Sequence, residues 1–265
     1  SLKDAKISIL DLGTLRGFGI YEGITSFSGE PFHFDTHWER FEISARALGL
    51  TIPHTKEEVL SAMREIIRKN ASGTRANLRM VLTGGTAEGG IEHIKGRETL
   101  FATAEPAVPL PKELYEKGAL LITHEHQRFM PEIKTINYIT AVTLQEKRKA
   151  AGAIEILYTS GNAVLECATS NIFIVKDGTV ITPDSGILKG VTRKVALDLA
   201  RVPYSVEEGP VLLDELFGAD EVFITSSFKD IVPIVAIDDH TIGSGTPGPV
   251  TRDLMERFVA YSKSV

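Results

Sequence analysis

Glu105-Pro106-Ala107-Val108-Pro109-Leu110-Pro111 places three prolines within seven residues. Each proline fixes φ and removes an amide donor, so the stretch is stiff, extended and unsuited to a sheet interior. It reads as a linker over 106–112. That reading divides the chain into a small N-terminal domain, 1–105, and a larger C-terminal domain, 113–265. At 265 residues the chain is long enough for each part to bury its own core.

Upstream of the linker, strand and helix signals alternate. Ala5–Leu10 alternates in polarity and reads as a strand, and Leu12–Gly19, with three glycines, as a loop. Gly23–Phe27 reads as a strand ending in a Ser28-Gly29-Glu30-Pro31 turn. Thr36 and Glu39 have capping-box spacing ahead of the helical face Trp38, Phe41, Ala45, Leu48, which Gly49 can close. Thr55 and Glu58 repeat the device before Val59, Met63, Ile66 and Ile67. Asn77–Leu82 and Thr99–Ala104 read as strands.

Downstream, strands are expected at Ala119–His124, Ala153–Tyr158, Asn171–Val175, Val180–Thr182, Glu221–Thr225 and Pro233–Ile237. Helices are expected at Asn137–Ala151, with Ile139 and Val142 inward, at Val191–Val202 and at Val250–Tyr261. Lys176-Asp177-Gly178 reads as a hairpin turn. Without strict βαβ alternation, the class is α+β.

Composition narrows the function. The net charge of −6 is spread along the chain without a basic block, which argues against nucleic acid. No apolar run reaches the ~20 residues of a membrane span. The start, Ser1-Leu2-Lys3-Asp4, lacks a signal-peptide pattern. One cysteine, Cys167, precludes an internal disulfide and fits a reducing, cytoplasmic setting. His37, His124 and His126 have no acid or thiol at a ligand offset, so no metal site is expected.

Three stretches carry possible chemistry. Lys134 sits among apolar neighbours just ahead of a helix. A partly desolvated lysine is a nucleophilic amine, although most lysines are merely solvated. Gly186-Ile187-Leu188-Lys189-Gly190-Val191-Thr192-Arg193 opens a helix whose free N–H groups suit phosphate, or are simply a helix start. Thr225-Ser226-Ser227 supplies hydroxyls after a strand, for phosphate or for a turn.

Together and in order, these pieces resemble the class IV (fold-type IV) pyridoxal-phosphate aminotransferases, over nearly the whole chain. The segments are Asp11 to Glu22, His37-Trp38-Glu39-Arg40, Lys134 to Tyr138, Glu166 to Asn171 with Ile172-Phe173, Gly186 to Arg193, and Pro247 to Thr251. The family includes branched-chain and D-amino acid aminotransferases and aminodeoxychorismate lyases. The resemblance implies a D-amino acid aminotransferase-like fold: a small α/β N-terminal domain and a larger barrel-like one. It also implies a homodimer, and its usual first strand, ahead of Ala5, is missing here.

Carried over to this chain, Lys134 forms a Schiff base with pyridoxal 5′-phosphate and shuttles the proton. Glu166 pairs with the pyridine nitrogen and Tyr138 bonds the ring oxygen O3′. Leu188 packs under the ring. Arg40, Val191, Thr192, Ser226 and Ser227 hold the phosphate. Tyr21, Arg16, Arg79, Phe228 and Lys229 fall at substrate-binding positions, and Arg128 is a further candidate cation. Branched-chain enzymes have a tyrosine where this chain has Asn77. D-amino acid enzymes carry Arg-x-His where it has Gly84-Gly85-Thr86. The expectation is a transaminase for branched-chain-like or related amino acids and 2-oxo acids. The alternatives on the same site are a D-amino acid aminotransferase and an aminodeoxychorismate lyase.

Overall fold

The computed structural model describes residues 4–264, so Ser1-Leu2-Lys3 lie outside it. Two compact units emerge, and the first combines residues up to Val108 with Ile133–Asn137. The second comprises Pro109–Glu132 and Tyr138–Ser264. Ile133–Asn137, and Lys134 with it, therefore packs with the N-terminal part, contrary to an unbroken second domain from 113.

The first unit contains α1 (Leu12–Arg16), β1 (Gly19–Phe27), β2 (Glu30–Pro31), α2 (Phe34–Leu48), α3 (Lys56–Asn70), β3 (Ala76–Thr83) and β4 (Thr99–Pro106). Its antiparallel sheet runs β2-β1-β3-β4. Side chains of β1 alternate between the two faces. Ile20, Glu22 and Ile24 share the buried face with Leu78, Met80 and Leu82 of β3. On α2, Phe34, His37, Trp38, Phe41, Ser44 and Ala45 recur at helical spacing and are buried.

Ala5–Leu10 is exposed and irregular, not a strand: its alternation meets no core. Leu12–Arg16 is a short helix rather than a loop because Asp11 caps it, accepting from the Gly13 amide at 2.7 Å. Asp11 also accepts from Thr83 and Thr99, tying the helix to β3 and β4. Thr36 lies inside α2, which starts from His33 without a side-chain cap. The Thr55–Glu58 capping box forms, and Gly49 closes α2 in the left-handed conformation.

The second unit contains α4 (Lys112–Glu116), β5 (Ala119–Glu125), α5 (Ile139–Thr143), α6 (Gln145–Ala150), β6 (Glu155–Ser160), β7 (Ala163–Cys167), β8 (Asn171–Lys176), β9 (Thr179–Thr182) and α7 (Val191–Ala200). After these come β10 (Ser205–Glu208), β11 (Val211–Leu212), α8 (Leu213–Phe217), β12 (Glu221–Ser226), β13 (Asp230–Ile237), β14 (His240–Thr241) and α9 (Pro249–Ser262). One curled sheet runs β10-β9-β8-β12-β13-β5-β6-β7-β11, with β14 on β13. It is the barrel-like element.

β6, β8 and β12 are buried almost end to end. That explains their unbroken apolar runs, since a strand covered on both faces shows no alternation. The Asp177-Gly178 turn has positive φ at both residues, as a tight hairpin needs. The expected long helix at Asn137–Ala151 breaks at Leu144 into α5 and α6. Its inward residue is Ala141, whereas Ile139 and Val142 are exposed. β7, which holds Glu166, is too short and mixed to stand out in the sequence.

Candidate active site

In the first unit the site grows from β1. Ile133–Asn137 lies along its edge, with the Tyr21 amide donating to Lys134 O at 3.0 Å and the Ile136 amide to Gly19 O at 3.1 Å. The Lys134 amide donates to Ser44 Oγ at 3.3 Å. This main-chain pinning sets Lys134 Nζ 4.7 Å from the centre of the Tyr21 ring, a cation over an aromatic face.

Arg40, one position beyond the buried stripe of α2, reaches Glu22 on β1. Its Nε donates to Glu22 Oε1 at 2.9 Å and its Nη2 to Oε2 at 2.6 Å, a bidentate pair. His37, one turn earlier on α2, lies 2.7 Å from Oε2 through Nδ1. Burial by itself would raise the Glu22 carboxyl, but the Arg40 charge and the Arg40 and His37 hydrogen bonds hold it at about 2. Burial drives the His37 value down, and the charges of Arg40 and Lys134 add to this. His37 is therefore neutral near pH 7 and donates from Nδ1–H to the carboxylate.

The motifs in the sequence do not single out Glu22, yet a signal for this trio exists there. An acid at an inward strand position needs a buried partner, and His37 and Arg40, three apart, share one helix face. The folded carboxyl value lies below the usual 4.5, so its stabilisation is complete above about pH 4.5 and is lost as pH falls toward about 2. Glu22→Gln is expected to lose about 3 kcal/mol near neutrality, because Arg40 and His37 stay buried without their anion. Urea melts near neutrality and at about pH 3 should show a much smaller acid loss in the variant than in the wild type.

The second unit holds the remaining residues. Glu166, buried near the end of β7, accepts from Arg128 Nε on Oε1 at 3.0 Å and from the Leu188 amide on Oε2 at 3.0 Å. Burial opposes the Arg128 charge, yet Glu166 and Tyr138 outweigh it and raise its value further. Arg128 is thus engaged with Glu166 and the Pro131 carbonyl, and is not a spare substrate cation.

α7 starts at Gly190, which supplies no side-chain cap, so the first amides of the helix lack one. Val191 and Thr192 open it and are buried. A Cβ on Gly190 would lie 2.2 Å from Asn171 Oδ1, while Asn171 Nδ2 donates to Leu188 O at 2.7 Å. Asn171 also pairs in register with Thr225, which brings the helix opening beside the end of β12. There Thr225 Oγ1 and Ser226 Oγ are buried and have no hydrogen-bond partner among the described residues. Orphan hydroxyls beside uncapped amides are groups that could hold an oxyanion.

The substrate candidates scatter more. Arg16 is exposed at the end of α1, with Nη1 on Leu15 O. Arg79 is half-exposed and donates from Nη1 to Glu105 at 2.6 Å. Phe228 is half-buried in the β12–β13 turn. Lys229 faces Glu155, Thr169 and Ser170 rather than a substrate, because a buried carboxylate outcompetes solvent for its ammonium. Among the described residues no group of three or more His, Cys, Asp or Glu side chains is placed to hold a metal ion.

A family model for class IV amino-transferases matches residues 19–237. The chain belongs to the class IV aminotransferases. A Methanocaldococcus jannaschii protein, provisionally named a branched-chain-amino-acid aminotransferase, is 37% identical over 97% of this chain and 91% of its own length. The D-alanine aminotransferase of Listeria monocytogenes is 32% identical, with the same coverage. A solved structure of the T.th. branched-chain amino acid aminotransferase with pyridoxamine 5′-phosphate matches at TM-score 0.90 and 29% identity. That match covers 99% of this chain and 90% of the other. Class IV aminotransferases work with pyridoxal 5′-phosphate.

Proposed function

We propose that this class IV aminotransferase uses pyridoxal 5′-phosphate anchored on Lys134 and moves amino groups between branched-chain-like L-amino acids and 2-oxo acids. The observation that carries the reading is the half-buried Lys134 amine over the Tyr21 ring, at the head of an apolar cross-strand row. In that row Tyr21 pairs with Val81, and Val81 with Phe101. Two register positions along, on the same face, Arg79 sits between Gly23 and Thr103. The row suits an aliphatic side chain; Arg79, held by Glu105, stands at its end.

When bound, the cofactor supplies the electron sink for breaking a Cα–H bond. The chain does the rest. Lys134 anchors the cofactor and carries the proton at Cα. Glu166, paired with Arg128, holds a proton on the ring nitrogen, and Tyr138 bonds O3′. Leu188 packs against the ring. The α7 amides at Val191 and Thr192, with Ser226 and Ser227, hold the phosphate, and the orphan Ser226 hydroxyl supports this role; Arg40, its guanidinium oriented by Glu22, is the cation proposed to join them.

Gly84 and Gly85 favour the branched-chain reading over the D-alanine one. A Cβ on Gly84 would meet Phe18 at 2.5 Å, and one on Gly85 would meet the Arg97 carbonyl at 1.5 Å. No substrate-binding side chain fits there. Exposed Phe129, Ile139 and Val142 support the homodimer, and buried, free Cys167 accords with a cytoplasmic setting. Among the described residues no helix is long and apolar enough to cross a membrane.

The test is a panel of L- and D-amino acids, read by loss of the ~410–420 nm absorbance of the lysine-bound cofactor. L-leucine, L-isoleucine and L-valine should react at least ~10-fold faster than D-alanine. A D-alanine preference would overturn the substrate reading, and pyruvate release without an amino acceptor would point to a lyase.

A further inference from the structure

Glu155 opens β6 and is 4% exposed, an unusual place for a carboxylate. Its Oε1 accepts from Lys229 Nζ at 2.8 Å, from Ser170 Oγ at 3.0 Å and from Thr169 Oγ1. Lys229 Nζ also donates to Thr169 Oγ1 at 2.7 Å and to Ser170 Oγ at 3.2 Å. The Glu155 carboxyl is held below its usual range: burial opposes this, but the Lys229 charge and the three hydrogen bonds prevail.

The positions of these residues in the chain give the cluster its meaning. Thr169 and Ser170 form the turn between β7 and β8, three and four residues after Glu166. Lys229 closes the turn between β12 and β13, its amide donating to Ser226 O at 3.3 Å. It stands two residues beyond Ser227. Tyr115 Oη donates to Lys229 O at 3.0 Å and pins the same turn from another element. The pair thus joins the turn after Glu166 to the turn after Ser226 and Ser227. A buried ion pair is seldom more stabilising than the apolar pair that would replace it, so its distinctive property is direction. An aliphatic residue at 229 would fill space, but it would not fix where the turn stands relative to the Glu166 turn.

We propose that Lys229 is a positioning residue for the cofactor phosphate, setting the Ser226–Ser227 turn against the Glu166 turn through Glu155, Thr169 and Ser170. The inference rests on the reading above, in which Ser226 and Ser227 bind the phosphate. It departs from the substrate role that the sequence suggests for Lys229.

The test compares two probes on the apo form of the full-length protein: pyridoxal 5′-phosphate, and pyridoxal, which lacks the phosphate. Lys229→Met should weaken pyridoxal 5′-phosphate binding about 10–100-fold, the worth of a lost charge-assisted hydrogen bond. Its affinity for pyridoxal should stay within about 3-fold of wild type, and Lys229→Arg should restore part of the loss. Inorganic phosphate should raise the melting temperature of the wild type and leave that of Lys229→Met unmoved. A merely structural lysine would lower the melting temperature while leaving the ratio of the two affinities as it was, and that result would overturn the proposal. If Lys229→Met does not fold, Thr169→Val carries the test. Thr169→Val at its exposed position deletes one hydroxyl and should lower the ratio about 3-fold. An unchanged ratio in Thr169→Val would also end the proposal. A wild type that binds the two probes equally would instead overturn the phosphate-site reading itself.

Discussion

Lys134→Ala should fold normally and lose more than ~10⁴-fold in transamination rate. The fold survives because the segment is held by its main chain. The Tyr21 and Ile136 amides, and the contact from the Lys134 amide to Ser44, involve no atom beyond Cβ of residue 134. The ammonium over the Tyr21 ring disappears, and that contact is worth about 1 kcal/mol. Catalysis has no such reserve. The amine is proposed both to anchor the cofactor and to carry a proton at the substrate Cα, and one truncation removes both functions. The rate is read in a coupled assay for the 2-oxo acid product. Loss of the ~410–420 nm band and a melting temperature within a few degrees of wild type complete the measurement. A variant that turned over at the wild-type rate would mean that Lys134 is an ordinary lysine.

Glu166→Gln should keep the cofactor, since Lys134 and the phosphate contacts remain, but lose ~10²–10³-fold in kcat. The amide cannot hold a proton on the ring nitrogen as a carboxylate does. It can still accept the Leu188 amide bond, so the local backbone has reason to stay in place. The second consequence is electrostatic. Arg128, its side chain 9% exposed, loses the anion 3.0 Å from its Nε. Removing one partner of a buried pair costs about 3–5 kcal/mol, so the variant should also melt earlier. The two effects separate when kcat is measured well below the lowered melting temperature. A kcat within about 3-fold of wild type under those conditions would remove Glu166 from the chemistry.

Local signals in the sequence are reliable where a single element carries them. The Thr55–Glu58 capping box, the Gly49 stop of α2 and the Asp177-Gly178 hairpin each depend on a few neighbouring residues, and each is found in the structure. Signals that need a distant partner go astray. The alternation of Ala5–Leu10 describes a strand only if a sheet receives it, and none does. Thr36 has the spacing of a cap, but Phe34 is drawn into the core and the helix starts ahead of it. β7, which carries Glu166, and its neighbour β11 have too few residues to set a period.

The sequence by itself determined the family, through six short motifs in a fixed order. With the family came the proposed identities of Lys134, Glu166 and the phosphate contacts. Tertiary structure decided which charges oppose which. It gave Arg40 to Glu22, Arg128 to Glu166 and Lys229 to Glu155. The partners in these three pairs lie 18, 38 and 74 residues apart in the chain. The physical reason is that a motif records what must touch the cofactor, and a lone cation in a sequence carries no mark of its counter-ion. Only folding brings a carboxylate out of water to within about 3 Å of a particular guanidinium or ammonium, and at that range the nearest anion claims it. Lys134 could be proposed from the chain alone; what holds the residues proposed to work beside it could not.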